Sequence, residues 1–182
     1  MPKRVIEVLA YDPAWKDRFN LLAKGLRASL GERALRIDHV GSTSVVGMWA
    51  KPIVDIQISV RSLDLLEEFR LPLVQLGYVF REDNPDLTKR YFREKPGTTR
   101  THIHVRQVGS YSEQEALLFR DYLRQQPEEA ERYSAFKQSL AVQHRDFPKR
   151  YVEEKAPFIH AMLMDARVWS QQVGWFSGES DA

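Results

Sequence analysis

His39-Val40-Gly41-Ser42-Thr43-Ser44, followed by Ile53-Val54-Asp55-Ile56-Gln57-Ile58, is the stretch on which the reading of this chain turns. The first block leaves an apolar strand through a Gly-Ser turn; the second is a strand carrying an aspartate among aliphatic residues. Gly41 can take a positive φ and let a ligand approach the backbone, and Ser42 adds a hydroxyl donor. The N–H groups of such a turn suit anionic oxygens, and a strand carboxylate can hold a hard cation that neutralises them. Alternation puts Asp55, Gln57 and Ser59 on one face of the strand and the aliphatic residues on the other. An ionised carboxylate in that setting is costly without a partner. Asp55 is therefore expected to meet a cation, a donor cluster or the rim of the sheet; the plain structural alternative is an ion pair with Lys51 or Arg106.

Outward from this centre, Lys3 to Leu9 suits a short strand. Asp12-Pro13 starts a helix whose buried stripe is Trp15, Phe19, Leu22, Leu26 and Leu30, ended by Gly31. Strands are expected over Leu35 to Val40 and Pro52 to Val60, with a loop from Gly41 to Ala50 between them. Ser62 can cap a helix through Phe69, with a kink at Pro72. Further strands follow over Tyr78 to Arg81, Lys89 to Arg93 and Thr101 to Val108. The remainder is helical. Ser112 and Glu115 form a capping box, a second helix covers Glu128 to Val142, and a third carries Tyr151, Lys155, Phe158, Ile159, Met162 and Leu163, with a bend at Pro157. The polar stretch from Gln171 is expected to fray. Strands early and helices late predict an α+β domain over residues 1–170, a mixed sheet with helices mainly on one face and a helical C-terminal third.

His102 and His104 alternate on their strand and share a face, a pairing suited to a metal or a phosphate. The competing reading is a packed or exposed pair with no ligand. His39 has the same ambiguity and suits a hydrogen-bonded core position under the loop. Lys51, Arg90, Arg93, Lys95 and Arg100 add positive charge; most such residues are solvated, and Lys51, directly before the Asp55 strand, is the best phosphate clamp among them.

With 27 basic and 25 acidic residues the formal charge is +2, too small to argue for nucleic acid. The absence of cysteine excludes disulfides and thiolate metal sites. No apolar run approaches the roughly 18 residues of a membrane span, and Met1-Pro2-Lys3-Arg4 is not followed by the apolar core of a secretion signal. A cytoplasmic protein with no membrane partner is expected.

The blocks His39 to Val45, Gly47 and Lys51-Pro52-Ile53-Val54-Asp55-Ile56 resemble the signature of the GrpB-like family. Tyr91-Phe92, His102-Ile103-His104-Val105, Phe119 to Leu123 and the helix of Tyr151, Lys155 and Phe158 resemble its later blocks, over about residues 5 to 167. The resemblance implies a nucleotidyltransferase-type fold and, with it, nucleotidyl transfer from a nucleoside triphosphate. Gly41, Ser42, Thr43, Lys51, Gln57, Arg90 and Tyr91 are the expected substrate-binding residues. Asp55 and His104 are the expected catalytic ones, and Asp55, His102 and His104 the metal ligands. The superfamily pattern has a second carboxylate where this chain has Gln57, and a third on a later strand where it has histidines. One anionic ligand suits a single softer divalent ion such as Mn²⁺, Zn²⁺ or Ni²⁺ better than a Mg²⁺ pair. A non-catalytic binding module for a phosphorylated or acidic small molecule, and a metal-dependent hydrolase using Asp55, His102 and His104, are the alternatives.

Overall fold

The computed structural model describes residues 5–182. Asp12 Oδ1 accepts the Ala14 N–H at 2.9 Å, and α1 (Ala14–Leu30) buries Trp15, Phe19, Ala23, Leu26 and Leu30. Of the strand expected at Lys3 to Leu9, Lys3 and Arg4 lie outside the described residues; among the rest, positions 5–8 have no regular structure and Leu9 makes one antiparallel bridge, to Ala50. The apolar side chains there serve different surroundings: Ile6 packs with Leu140 and Tyr151, while Val5 is exposed.

A five-stranded sheet follows, with β1 (Arg36–Val40), β2 (Val54–Val60), β3 (Val79–Phe80), β4 (Arg90–Arg93) and β5 (Thr101–Gln107) in the order β1-β2-β5-β4-β3. β2 and β5 run parallel; the other pairs are antiparallel. Helix α2 (Leu66–Gln75) starts four residues after Ser62 and runs through Pro72. Ser62 bonds Asp64 instead of capping it. Phe19, Leu26, Phe69 and Leu73 of α1 and α2 pack on Ile56, Ile58, Ile103, Val105 and Phe92, the apolar face of the sheet.

The last third consists of α3 (Tyr111–Gln125), α4 (Pro127–Gln143) and α5 (Pro148–Val173) around Leu123, Tyr133, Met162 and Ala166. The fold is α+β with a mixed sheet. The helix cap stands two residues earlier than expected: Ser110 Oγ accepts the Glu113 N–H at 3.3 Å, and Glu113 Oε2 accepts the N–H of Gly109, one residue before the cap, at 3.0 Å. Glu113 also takes the Ser59 hydroxyl at 2.6 Å, which docks the start of α3 on the polar face of β2. Arg120 of α3 reaches Asp38 of β1 at 3.3 Å and Asp121 at 2.7 Å.

Residues 178–182 are held rather than frayed. Ser180 Oγ accepts the Ile37 N–H at 2.9 Å, and the Asp181 carboxylate accepts the His39 N–H at 2.9 Å and an Arg120 N–H at 3.0 Å. Arg36 donates to the Gly178 and Glu179 carbonyls. A polar composition here supplies partners for β1 instead of solvation alone. Among the described residues no helix is long and apolar enough to cross a membrane.

Candidate functional site

Register assembles the site. Val40 pairs with Asp55 and Asp38 with Gln57 across β1 and β2. Asp55 pairs with His102 and Gln57 with His104 across β2 and β5, and Tyr91 pairs with His104 across β5 and β4. One sheet face thus carries Asp55, His102, His104 and Tyr91 side by side.

Asp55 Oδ1 lies 3.2 Å from His102 Nδ1 and 3.3 Å from His104 Nε2. Neither Lys51 nor Arg106 is its ion-pair partner. Burial by itself would raise the Asp55 carboxyl, but hydrogen bonds from both histidines outweigh it and hold the group far below the ordinary carboxylate range. Burial pushes His104 down to about 4 against the pull of Asp55, so its imidazole is neutral at pH 7. The Tyr91 ring stacks on His104 at 5.3 Å between centroids and meets His102 edge-on at 5.6 Å. The outer nitrogens, His102 Nε2 and His104 Nδ1, are buried without hydrogen-bond partners.

Gly41 closes on this carboxylate. Its φ is +70°, and a Cβ there would stand 2.7 Å from Asp55 Oδ2, so only glycine permits both the turn and the approach. Gly41→Ala is expected to cost about 1–3 kcal/mol from backbone strain and to displace the Asp55 carboxylate. A urea titration would read the first effect and a metal titration the second. A variant as stable and as metal-competent as the wild type would rule out the close approach.

Other expected residues divide. The Ser42 hydroxyl accepts from Lys137 Nζ at 2.8 Å, and Lys51 Nζ sits 4.8 Å from the centre of the Tyr151 ring, with burial lowering its ammonium to about 8. Thr43, by contrast, donates to the Ile53 carbonyl and contacts His39 Nε2, both at 3.0 Å; it ties the loop to the strand. His39 is a core residue, stacked on Phe19 at 4.7 Å between centroids. Gln57 is fully buried. It accepts from Arg106 Nη1 at 2.7 Å and donates to the Glu113 carbonyl at 3.3 Å, so it faces a guanidinium and a helix instead of the Asp55 cluster. Arg90 alternates with Tyr91, pairs with Val105 and bonds the Leu87 carbonyl. Strand geometry turns it away from the site.

Lys137 and Lys155 were not singled out from the sequence as site residues, yet both join it. A signal existed for each: Lys137 follows Tyr133 by four positions and precedes Ala141 by four, on the buried stripe of α4. Lys155 follows Tyr151 by four in the same way. A cavity of about 920 Å³ lies elsewhere, between the 43–49 loop, the start of α1 and α4, with Phe19, Asn20, Trp49 and Ser134 on its walls. It does not include Asp55. Converging donors and a carboxylate locate chemistry better than volume does, and they point to the sheet face.

The donor set fits a divalent ion. Asp55, His102 and His104 each offer a ligand atom, all within 4.8 Å of one another. Metal–ligand bonds of 2.0–2.2 Å place neighbouring ligand atoms about 3.0–3.5 Å apart, which matches the two Asp55–imidazole distances. Two imidazoles and one carboxylate select zinc, manganese, nickel or iron over Mg²⁺, which prefers oxygen throughout.

Residues 5–165 match the family model described as "GrpB protein". The UPF0157 protein YqkA of Bacillus subtilis is 36% identical over 171 residues, 93% of this chain and 50% of that protein. The UPF0157 protein BH1888 of Halalkalibacterium halodurans is 33% identical over 161 residues, 88% of this chain and 82% of that protein. The crystal structure of the conserved protein GrpB from Enterococcus faecalis superposes with a TM-score of 0.82 at 32% identity, over 90% of this chain and 99% of that one. This chain therefore spans half the length of one of these relatives and most of the others.

Proposed function

The chain belongs to the GrpB family, and we propose that it carries out metal-assisted nucleotidyl transfer from a nucleoside triphosphate to an acceptor. The observation that carries this reading is the Asp55 carboxylate, flanked by two imidazoles and approached by the Gly41-Ser42 turn. Asp55, His102 and His104 would hold one divalent ion. Such an ion supplies Lewis-acid stabilisation of charge on phosphoryl oxygens.

The chain's own residues do the rest. Gly41 keeps the backbone close to the carboxylate, and Ser42, braced by Lys137, presents a polar group at the mouth of the turn. Lys51 offers positive charge to the phosphate chain. Tyr91 packs on both imidazoles and fixes their planes. His104, neutral and weakly basic, suits ligation better than proton abstraction. Gln57, committed to Arg106 and α3, leaves one carboxylate where the two-ion mechanism uses several. That single-carboxylate donor set also favours a second reading, metal-dependent hydrolysis of a phosphate ester.

Calorimetry with Mn²⁺ or Zn²⁺ and each nucleoside triphosphate tests the proposal. The expected result is triphosphate binding that strengthens when metal is present, with pyrophosphate released once an acceptor is supplied. Release of orthophosphate without any acceptor would select the hydrolytic reading. No binding of any triphosphate at millimolar concentration would remove nucleotidyl transfer.

A further inference from the structure

Lys51, Lys137 and Lys155 converge beside the candidate metal site, and their arrangement is unfavourable for the protein alone. Lys51 and Lys155 lie 4.8 Å and 5.7 Å from the centre of one ring, that of Tyr151. Lys137, buried at 3% exposure, donates to Ser42 Oγ and to the Trp49 carbonyl. Among the described residues the lysine that forms an ion pair with a carboxylate is Lys89, with Asp86. The three central lysines have no such partner, whereas the nearby Arg93 and Arg100 both meet Glu94. The Tyr151 hydroxyl, in a residue only 1% exposed, has no hydrogen-bond partner.

We propose that Lys51, Lys137 and Lys155, with the Tyr151 hydroxyl, form a seat for the phosphate chain of a di- or triphosphate ester. The inference rests on the function proposed above and deepens it by assigning Lys137, Lys155 and Tyr151 to the phosphate chain, but it does not require the metal. Ammonium groups are donors without acceptor capacity, so the missing component of the cluster is an anion with several oxygens. A pyrophosphate unit offers oxygens on two phosphorus centres, more acceptors and more negative charge than a single carboxylate or orthophosphate brings to three ammonium groups. Electrostatics agree with the geometry. Burial first, and then mutual repulsion, lowers Lys137 to about 7, and the same causes lower Lys51. Burial lowers Lys155 too, with Asp55 opposing it. Charges crowded in this way cost stability until a ligand neutralises them, a trade of stability for binding.

The test uses the full chain in excess EDTA, with inorganic phosphate, pyrophosphate and tripolyphosphate as probes in thermal melts and calorimetry. Pyrophosphate and tripolyphosphate are expected to raise Tm and to bind at least 10-fold more tightly than phosphate. Lys155→Met is expected to lose at least 10-fold in tripolyphosphate affinity while melting no lower than wild type without ligand. Lys137→Met should lose binding also, but it breaks two hydrogen bonds, so Lys155→Met keeps the proposal falsifiable if the former fails to fold. Equal response to all three anions, or tripolyphosphate affinity unchanged in Lys155→Met, would overturn the seat. Because metal is absent throughout, failure here is distinct from failure of metal-assisted transfer, which is read in metal-loaded protein.

Discussion

Asp55→Ala is expected to lower affinity for Mn²⁺ or Zn²⁺ by more than about 100-fold, because loss of even an outer-sphere partner costs 10–100-fold at metal sites. Asp55 is the one carboxylate in the donor cluster, so its removal leaves two imidazoles. It also takes from His102 Nδ1 and His104 Nε2 their shared acceptor at 3.2 Å and 3.3 Å. Asp55→Asn separates these roles, since an amide oxygen still accepts hydrogen bonds but offers no charge. Its melt should stay near that of the wild type while calorimetry shows metal binding lost. Wild-type metal affinity in Asp55→Asn would remove Asp55 from the ligand set. Comparison of the two variants therefore tells a structural loss from a chemical one.

Arg120→Ala should be among the most destabilising single changes, at about 3 kcal/mol, the scale for deleting one partner of a buried ion pair. Arg120 is 4% exposed and Asp38 is fully buried. The guanidinium meets Asp38, Asp121 and Asp181 at 3.3, 2.7 and 3.0 Å. Alanine would leave Asp38 with Arg36 as its cationic partner, at 2.9 Å, and Asp181 with Arg124, at 3.7 Å. A guanidinium-chloride titration should show a lower midpoint at unchanged slope. Arg120→Lys keeps charge without the planar fork and should recover part of the loss. A change below about 1 kcal/mol in the alanine variant would mean that Arg36 alone compensates Asp38.

The elements that carry chemistry were legible where they depended on local pattern. Period-two alternation in Val54 to Val60 separates Asp55 from the aliphatic residues, and the same rule applied to Thr101 to Gln107 puts both histidines on one face. What alternation does not give is which strands become neighbours and in which register. Parallel pairing of β2 with β5, across more than forty residues, is what turns a lone aspartate and a pair of histidines into one cluster. Applied strictly, alternation would also have separated Arg90 from Tyr91. The capping box shows a different limit. Ser110 to Glu113 and Ser112 to Glu115 both satisfy the motif, and the choice between them rests on a contact from Glu113 to Ser59 in a distant strand. Gln57 was legible as a departure from the superfamily pattern, but its engagement by Arg106 was not. The tail misled because composition reports solvation and says nothing of a strand waiting for partners.

That clasp over β1 has a further consequence. The sheet ends at β1 on one side and at the two-residue β3 on the other. Along β1, the outward N–H groups of Ile37 and His39 are already taken by a hydroxyl and a carboxylate. An incoming strand from another molecule would find those donors occupied and an acidic side chain in its path, a form of protection against edge-to-edge aggregation. Protein lacking residues 175–182 should accordingly self-associate in sedimentation experiments at concentrations where the intact chain does not.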